Sequence, residues 1–590
     1  MNVLERAHFA LEHFMQKNSE KTEKGYRIYF SIEPFPNPST AHNQWDDGDG
    51  TSRALDAWIY LRRITGDYET GKEIEEGQWI YLRSLINSQN GLVYVGDHSH
   101  PNQSEYYYHM WDQGRFLRHL INRYQLTSFG RDDKYELEKL INTIINSLNK
   151  LSCETVLESD QKGRYWEHDV FWNEKPVTPD MDFGELNYMN FTMVNAQLLD
   201  PAVKWASVTR NKDLTSWAIE LALGFIAGLE TRRESTSPMF GKNGEFKGHF
   251  HCVASGLVGM VRLSEMLFKQ GNIIDSKYYL NKVIGTYKWI FSEENINRGS
   301  SFGWFPENSG EKIANTSEIC CTADMIELAS ALASIAYKLE GYEFLDNYWD
   351  DVDRFTTNEL FSMQILNPTK FAQYVKPGDS DAHDRFSDIA KLYTGGWPFG
   401  HNWPHDLMSY SAGLLTNGKE LKAEMPIAGC CLYSGPRGLY AYWNSMVDDN
   451  GSIIDIRFPG RFENQSVDIH ELDEGGLSLF LKRSTRVAVR IPKTADAGSV
   501  KVFCGGERIH VNYNPVTRRV AIACGTGTDY SICWKNLKWE SHETLGMENT
   551  GHIQGKPTGS RVMFTLLYHG NKLADISPSG GALLPYSKGL

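Results

Sequence analysis

The chain has 590 residues, 41% hydrophobic and 23% charged, so it can bury a large core and form more than one domain. Lys and Arg number 60 against 74 Asp and Glu, and the net charge of −14 without a basic block argues against nucleic acid as a partner. A neutral or sugar-like ligand suits this composition better. Apolar runs fall short of the roughly 20 residues of a membrane helix, and charged residues interrupt the apolar positions of segment 1–17. We therefore expect a cytoplasmic protein without a membrane partner.

The first predicted elements are helices, because helical periodicity dominates residues 1–449. Six amphipathic stretches begin near Thr51, Met110, Phe191, Cys252, Ser317 and Ile427. The first five end at Gly or Asn and run into a second helical stretch, and segment 3–16 can partner the sixth. Stacked hairpins bury more surface than isolated ones, and closing the ring removes exposed ends. We predict an (α/α)6 toroid, with an open α-solenoid as the alternative.

The next segment, 358–424, contains GGWPFGHNWPHD, and its Gly and Pro content predicts a long loop over one mouth of the ring. Beyond residue 450 the periodicity changes to two, in short runs such as SIIDIRF and RVAVRIP separated by turn residues. This pattern is typical of two packed antiparallel sheets. The sequence therefore predicts a mainly α protein with a helical domain at 1–449 and a C-terminal antiparallel β-sandwich at 450–590.

The strongest chemical pattern combines Glu318 and Cys320 with Cys430 and Cys431. These residues open the fifth and sixth inner helices, and adjacent inner helices of a toroid start at the same mouth, so the side chains can meet. Thiolates with one carboxylate suit Zn²⁺, which favours four tetrahedral ligands. We expect Gly429 to provide the irregular backbone that lets adjacent cysteines reach one metal.

Two simpler interpretations of this pattern remain open: buried free cysteines beside an exposed glutamate, and a purely structural zinc. Four protein ligands would leave no position for a zinc-bound water, which disfavours hydrolysis by zinc hydroxide. A zinc-bound cysteine, however, is a thiolate near neutral pH and can itself attack carbon.

Four motifs in the chain carry a family resemblance: SEICC at 317–321, GCC at 429–431, GHFH at 248–251 and RVAVRIP at 486–492. Together they resemble the β-L-arabinofuranosidase family of glycoside hydrolases. The resemblance implies an (α/α)6 barrel followed by β-sandwich modules, a zinc held by Glu318, Cys320, Cys430 and Cys431, and a retaining mechanism. By motif, Cys430 matches the family's nucleophile and His249 matches a substrate-contacting histidine.

Two positions depart from the family pattern. The family's acid/base is a glutamate upstream of the Glu-x-Cys element, in a Gly-Glu-Ala-Phe-like context. Here FGWFPEN indicates Glu307, with Glu311 as the second candidate. In DQGR the family tends to show Gly-His, whereas this chain has Gly114 and Arg115. Both departures lie where the sugar is expected to bind, so the resemblance leaves the arabinofuranose specificity open.

Further substrate contacts are predicted from local context. His251, like His249, is either a sugar contact or a hydrogen-bonded histidine at a helix end. The acidic run QWDDGDG lacks the bidentate Glu of an EF-hand, so we interpret Asp47 as a helix cap or an acceptor for a sugar hydroxyl. Trp304 either stacks on a sugar or packs in the core. Arg115 is included among the substrate-binding candidates.

The favoured interpretation is a retaining glycoside hydrolase acting on a β-L-arabinofuranoside or a related small glycoside or oligosaccharide. A second is a toroidal hydrolase or lyase acting on uronate-containing oligosaccharides, with structural cysteines. A third is a non-catalytic carbohydrate-binding protein on the same scaffold. Homo-oligomerisation is left open.

Overall fold

The computed structural model describes most of the chain: residues 1–34, 37–95, 107–127, 131–157, 161–172, 175–177, 191–231, 233–234, 237–238, 241, 244–309, 318–369, 372, 375, 378–398, 427–549 and 558–577.

Thirteen α-helices lie in the described residues. They are α1 (Val3–Phe9), α2 (Gly48–Thr65), α3 (Lys72–Ser84), α4 (Met110–Leu126), α5 (Arg131–Leu151), α6 (Phe191–Thr209), α7 (Lys212–Thr231), α8 (Phe250–Lys269), α9 (Ile273–Ile290), α10 (Ile319–Ile335), α11 (Tyr348–Phe355), α12 (Ser380–Tyr393) and α13 (Gly429–Met446). Short 3₁₀ or π segments occupy Ala10–Met15, Gln44–Asp46, Glu343–Asn347 and Thr356–Leu360. None of these helices is long and apolar enough to cross a bilayer.

Six of the helices contact one another in a closed circle. Helix α2 packs on α4, α4 on α6, α6 on α8, α8 on α10, α10 on α13, and α13 returns to α2. These inner helices begin close to the six predicted starts. Helices α3, α5, α7, α9 and α11 each pack on the inner helix that precedes them, and α1 contacts both α2 and α13.

The inner helices are buried around most of their circumference because each lies between neighbouring inner helices and an outer layer. Helix α10, with the sequence ICCTADMIELASALASI, has 14 of its 17 residues buried. Its two acidic residues, Asp324 and Glu327, are also buried, so they must be paired inside the ring. The outer helix α5 instead alternates apolar residues with exposed charged ones.

The helical part also contains short strands. They are β1 (Ser19–Thr22), β2 (Gly25–Ile28), β3 (Ser31–Glu33), β4 (Ser39–Ala41), β5 (Tyr107–His109), β6 (Cys153–Val156), β7 (Lys162–Tyr165), β8 (Val170–Trp172), β9 (Lys175–Pro176), β10 (Arg233–Glu234), β11 (Ser237–Pro238), β12 (Gly248–His249), β13 (Asn308–Ser309) and β14 (Ile427–Ala428). Two pairings matter for the site. Strand β14 pairs with β3 just before α13, and β12 pairs with β13 just before α8.

The C-terminal part is built from strands. They are β15 (Val447–Asp449), β16 (Ile453–Ile456), β17 (Phe462–Glu463), β18 (Val467–Glu471), β19 (Gly476–Leu481), β20 (Thr485–Arg490), β21 (Ala495–Cys504), β22 (Glu507–Ile509), β23 (Asn512–Asn514), β24 (Arg519–Cys524), β25 (Asp529–Asn536), β26 (Lys538–Asn549), β27 (Thr558–His569) and β28 (Lys572–Ser577).

These strands form three sheets, in the orders β15-β16-β20-β24-β23, β17-β18-β19-β25-β21-β22 and β26-β27-β28. Pairing is antiparallel except between β16 and β20, which run parallel with Ile453 opposite Arg486. The predicted change from helices to a β region of antiparallel sheets is confirmed at this level.

The third sheet packs on the helical part through a separate cluster. Phe302 and Trp304 are fully buried there against Phe564 and Leu566 of β27. Glu543 of β26 accepts hydrogen bonds from the Ser300 hydroxyl and the Ser301 backbone N–H, the latter at 3.2 Å. Residues 300–304, which follow α9, are therefore held in place by the last sheet.

The predicted loop over 358–424 is only partly a loop. Residues 399–424 lie outside the described residues, but Ser380–Tyr393 form helix α12. Trp397 of the motif GGWPFG is fully buried, and its indole N–H donates to the Leu360 carbonyl at 2.8 Å. The loop prediction was wrong for this helix because it was based on the Gly and Pro content of the segment. The helical spacing of Ala382, Phe386 and Ala390, which are all buried, indicates a helix.

Candidate active site at the helical mouth

Three cysteines meet where two neighbouring inner helices begin. Cys320 lies in the first turn of α10, and Cys430 and Cys431 lie in the first turn of α13. Their three sulfur atoms all lie within 4.8 Å of one another, and Cys320 Sγ is 3.5 Å from Cys431 Sγ. Cys320 and Cys431 are fully buried, whereas Cys430 is partly exposed. Cys430 is therefore the most exposed of the three cysteines.

Gly429 positions the cysteine pair differently from the prediction. Gly429 is itself the first residue of α13, so both cysteines come from helical backbone and no irregular segment is needed. Its N–H donates to the Phe30 carbonyl at 2.6 Å, and an added Cβ would lie 2.9 Å from the Phe30 ring. Glycine thus allows the close approach of Phe30, the residue before β3, at the start of α13.

The three cysteine thiols differ in how readily they ionise. Burial opposes ionisation of Cys320, but thiol hydrogen bonds from Cys430 and Cys431, aided by the nearby His251 and Arg53, hold the pKa of Cys320 well below its usual range. The Ser434 hydroxyl also donates to Cys320 Sγ at 3.3 Å. The hydrogen bond that the Cys430 thiol donates to Cys320 raises the pKa of Cys430. The cluster therefore carries negative charge, centred on Cys320, in a site that favours a cation.

A second group lies beside the cysteines. Ligand atoms of His249, Glu307 and Glu318 lie within 4.8 Å of one another, and His249 Nε2 is 3.3 Å from Glu318 Oε1. The pairing of β12 with β13 places His249 opposite Asn308, the residue after Glu307. The Phe250 N–H then donates to the Glu307 carbonyl at 2.8 Å. Backbone pairing, rather than sequence proximity, thus brings the acid to the histidine.

Glu318 has an unusual environment. It is the N-cap residue of α10 and is 4% exposed, and burial raises the pKa of its carboxyl to about 7. Among the described residues, its Oε2 has no hydrogen-bond partner. Burial lowers the pKa of His249, but contacts with Cys252 and Glu318 outweigh it and hold that pKa well above its usual value. Glu318 therefore offers a free carboxylate oxygen close to the cysteines.

The predicted metal ligands are thus distributed over two adjacent groups. The structure brings Cys320, Cys430 and Cys431 into one set, whereas Glu318 belongs to the set with His249 and Glu307. Three sulfurs and one unpartnered carboxylate oxygen at neighbouring positions are a donor set that suits Zn²⁺.

Arg115 and His251, two predicted substrate contacts, lie beneath this mouth and bind each other. Arg115 Nη2 is 2.6 Å from His251 Nε2, and His251 Nδ1 bonds Asp324. Burial, with the Asp324 and Cys320 contacts opposing it, lowers the pKa of His251 to about 4, so the ring is a neutral acceptor for Arg115. Burial and the neighbouring Arg53 lower the pKa of Arg115 to about 9.

Asp47 and Trp304 are engaged in structural contacts. Asp47 precedes α2, is fully buried, and accepts a hydrogen bond from the Tyr81 hydroxyl at 2.6 Å. Trp304 has no exposed surface with which to contact a sugar. Glu311, the second acid/base candidate, lies outside the described residues.

Apart from Arg115, the polar residues on four inner-helix faces were not predicted from the sequence. Each of α2, α4, α10 and α13 carries two buried polar residues three positions apart: Arg53 and Asp56, Arg115 and Arg118, Asp324 and Glu327, Ser434 and Arg437. Residues three apart share a helix face, so this spacing within otherwise apolar helices was a readable signal that these faces line the ring axis.

The fold and the site together define a class: a closed ring of inner helices with a cysteine and carboxylate cluster at its mouth, followed by a β region. No family model and no curated protein sequence matches the chain. Among solved structures, a family 127 β-arabinofuranosidase is similar over 97% of this chain and 78% of its own, with a TM-score of 0.53 and 12% identity. A structure described as a glycoside hydrolase is similar over 94% and 85%, with a TM-score of 0.51 and 8% identity.

A family 127 β-L-arabinofuranosidase from Geobacillus stearothermophilus T6 is similar over 96% of this chain and 80% of its own, with a TM-score of 0.49 and 12% identity. The fold that the resemblance implies is thus shared with the family 127 β-arabinofuranosidase at a TM-score of 0.53. At these identities, the likeness shows a shared fold.

Proposed function

We propose that the protein is a retaining glycoside hydrolase with Cys430 as nucleophile and Glu307 as acid/base. The observation that carries the proposal is the juxtaposition of a three-cysteine cluster and a His249, Glu307 and Glu318 group at one mouth of the helical ring. Retaining glycosidases require a nucleophile and a proton-transferring carboxyl group on opposite sides of the scissile bond. The partly exposed Cys430 and Glu307 suit these roles because both can be reached from the mouth.

The proposed reaction has two displacements. The Cys430 thiolate attacks the anomeric carbon while protonated Glu307 donates its proton to the departing oxygen, which forms a C–S bond and breaks the C–O bond. Glu307, now a carboxylate, takes a proton from water as the water oxygen attacks the same carbon. The C–S bond breaks, and Cys430 leaves as a thiolate. His249 lies within reach of Glu307 and Glu318 and orients both carboxyl groups.

The residues also fit the zinc that the resemblance implies. Cys320, Cys430 and Cys431 would hold it with Glu318, whose Oε2 has no partner among the described residues. When bound, zinc would keep the sulfurs as thiolates near neutral pH and stabilise sulfur as a leaving group. Without a cation, the low pKa of Cys320 would leave the negative charge on the wrong sulfur for attack.

We propose a β-L-arabinofuranoside or a related small glycoside as substrate, because a structural neighbour is described as a β-arabinofuranosidase. The position of Arg115 bears on this specificity. Its guanidinium is directed to His251 and is 4% exposed, so it shapes the floor beneath the site. A panel of aryl glycosides that includes arabinofuranosides and uronides would identify the sugar.

Replacing Cys430 by Ser tests the proposal, with Cys153→Ser at an exposed cysteine as control. We expect C430S to fold and to lose at least about 1,000-fold in kcat, because a serine hydroxyl is a poor nucleophile at neutral pH. C153S should keep full activity, and purified wild-type protein should contain zinc. Full activity of C430S, or activity that survives complete removal of zinc, would refute the mechanism.

We also propose three features of the architecture from the sequence. They are the six-hairpin (α/α)6 arrangement, the two-sheet sandwich, and a division into 1–449 and 450–590. The closed circle of inner helices supports the first, and the five- and six-stranded sheets support the second. The cytoplasmic location also stays a prediction, and homo-oligomerisation stays open.

A further inference from the structure

A small cavity lies inside the helical ring, deeper than the cysteines. Four arginines and one acid, Arg53, Arg115, Arg118, Arg437 and Asp56, line it together with two tyrosines and Ser434. These side chains come from α2, α4 and α13. Ser434 is one helical turn beyond Cys431, and its hydroxyl contacts Cys320 Sγ, so the cavity begins directly beneath the cysteine cluster.

The lining side chains carry an excess of positive charge. Four arginines and one aspartate give a formal +3. The carboxylates that pair with these arginines are not part of the lining. Asp49 holds Arg53 at 2.6 Å, and Glu327 holds Arg437 at 2.6 Å and Arg118 at 2.8 Å. Asp56, the one lining acid, accepts the Asn122 amide at 3.0 Å and lies 3.1 Å from His119 Nδ1.

Arg115 is the least compensated of the four arginines. Its nearest carboxylate among the described residues is Asp49, 3.6 Å from Nε, and that carboxylate is already bonded to Arg53. The Nε–H groups of Arg115 and Arg118 are buried without a hydrogen-bond partner in the described part of the chain. A buried guanidinium with unused donors is costly unless an anion or a polar group satisfies it.

We propose that this cavity is a binding site for a small monovalent inorganic anion of the size of chloride. The space accommodates about one water-sized particle, which excludes a sugar or a uronate group. Guanidinium groups are weakly hydrated and present several fixed N–H donors, so they suit a buried anion better than lysine would. One anion would accept hydrogen bonds from the unpartnered Nε–H groups of Arg115 and Arg118.

Such an anion would join α2, α4 and α13 at one point and support the floor of the site. Because Arg115 also contacts His251, and Ser434 contacts Cys320, the anion would hold these side chains in register. Its binding to the folded state alone would stabilise the fold by mass action, whether or not zinc is present and whatever the reaction.

The first experiment measures thermal unfolding of the full chain at constant ionic strength, with sodium chloride exchanged stepwise for sodium gluconate. Gluconate is too large for the cavity. We expect the midpoint to rise with the logarithm of chloride concentration above the dissociation constant. In the Arg115→Gln variant, the unfolding midpoint should depend less on chloride concentration. The dissociation constant for chloride should be at least tenfold higher than in the wild type.

Arg123→Gln is the matched control. Arg123 lies on the same helix outside the cavity, with its guanidinium 4.6 Å from the centroid of the Trp79 ring. R123Q should keep the wild-type chloride dependence. Equal midpoints in chloride and gluconate for wild-type protein, or the same chloride dependence in R115Q as in R123Q, would overturn the proposal.

A second experiment covers the case in which R115Q does not fold. Crystals of the wild-type protein grown in gluconate and transferred to sodium bromide should show an anomalous bromine peak between the four arginines. A water refined at full occupancy there, with no bromine peak, would overturn the proposal independently of any variant or activity.

Discussion

At the scale of single residues, burial decides which polar groups are available for chemistry. Cys430 and Glu307 keep some exposure at the mouth, whereas Cys320, Cys431 and Glu318 are buried behind them. In the proposed mechanism, Glu318 and Cys320 of the motif SEICC would be buried metal ligands, and the nucleophile, Cys430, would come from another helix.

Glu307→Gln tests the acid/base role. We expect kcat/KM for substrates with poor leaving groups to fall by about 100- to 10,000-fold, because the departing oxygen is no longer protonated. Aryl glycosides with good leaving groups should retain most of the first-step rate. The measurement is kcat/KM, which reports the first displacement, across a leaving-group series, with the exposed Glu294→Gln as control. A loss that is the same for every leaving group would contradict the assignment.

Asp353 gives a pH-dependent prediction. Burial raises the pKa of its carboxyl from 3.8 to about 7, although Asn571 donates to Oδ2 at 2.8 Å. Between these pH values the folded state binds more protons than the unfolded state, so this carboxyl lowers the free energy of unfolding as pH rises. Asp353→Asn should remove the effect, gaining stability over wild type by at most about 1.4 kcal/mol per pH unit.

The check is urea unfolding of wild type and D353N at pH 5 and pH 8, with the exposed Asp448→Asn as control. A difference between D353N and wild type that is constant with pH would show that the carboxyl does not titrate in this range.

At the scale of elements, the segment between α9 and α10 connects the site to the last sheet. It carries Phe302 and Trp304 into the cluster with β27 and then reaches Glu307 three residues later. The geometry of the proposed acid/base thus depends on a sheet that lies far away along the chain.

Trp304→Ala distinguishes packing from sugar binding. Because Trp304 is fully buried, we expect the free energy of unfolding to fall by about 3–5 kcal/mol. At a temperature where the variant is folded, KM should stay within about twofold of wild type. An unchanged unfolding midpoint together with a strongly raised KM would instead show that Trp304 contacts the sugar.

At the scale of the whole molecule, a buried arginine joins the β region to the helical ring. Arg490 of β20 is fully buried, with both Nη atoms 2.9 Å from Asp350 and Nε 3.1 Å from Asp346. The two aspartates flank the start of α11. The β region is therefore held against the helices by charge pairing as well as by apolar packing.

Arg490→Met should lower the free energy of unfolding by about 3–5 kcal/mol, because it leaves Asp350 buried without its charged partner, whereas Asp346 keeps its ion pair with Arg519 at 3.0 Å. Arg486→Met, at an exposed position on the same strand, should change it by less than about 0.5 kcal/mol. Thermal unfolding of both variants provides the measurement. Equal stability of R490M and R486M would show that the buried pair does not hold the two regions together.

Local patterns in the sequence were sufficient for the starts of the inner helices and for the change to strands near residue 450, because periodicity depends on neighbours along the chain. They also indicated that Cys320 and the Cys430 pair would meet, since consecutive inner helices begin at one mouth. The helix at Ser380–Tyr393 was not predicted, because the Gly and Pro residues of the surrounding segment indicated a loop. The apolar spacing within the helix is the signal that indicates it.

Only the tertiary structure decided which set Glu318 joins, that Trp304 packs in the core, and that arginines from three helices surround one cavity. Each of these outcomes depends on distances between residues far apart in the chain. Such distances are set when the ring closes and the last sheet packs on it, because burial and charge pairing are then balanced over the whole molecule.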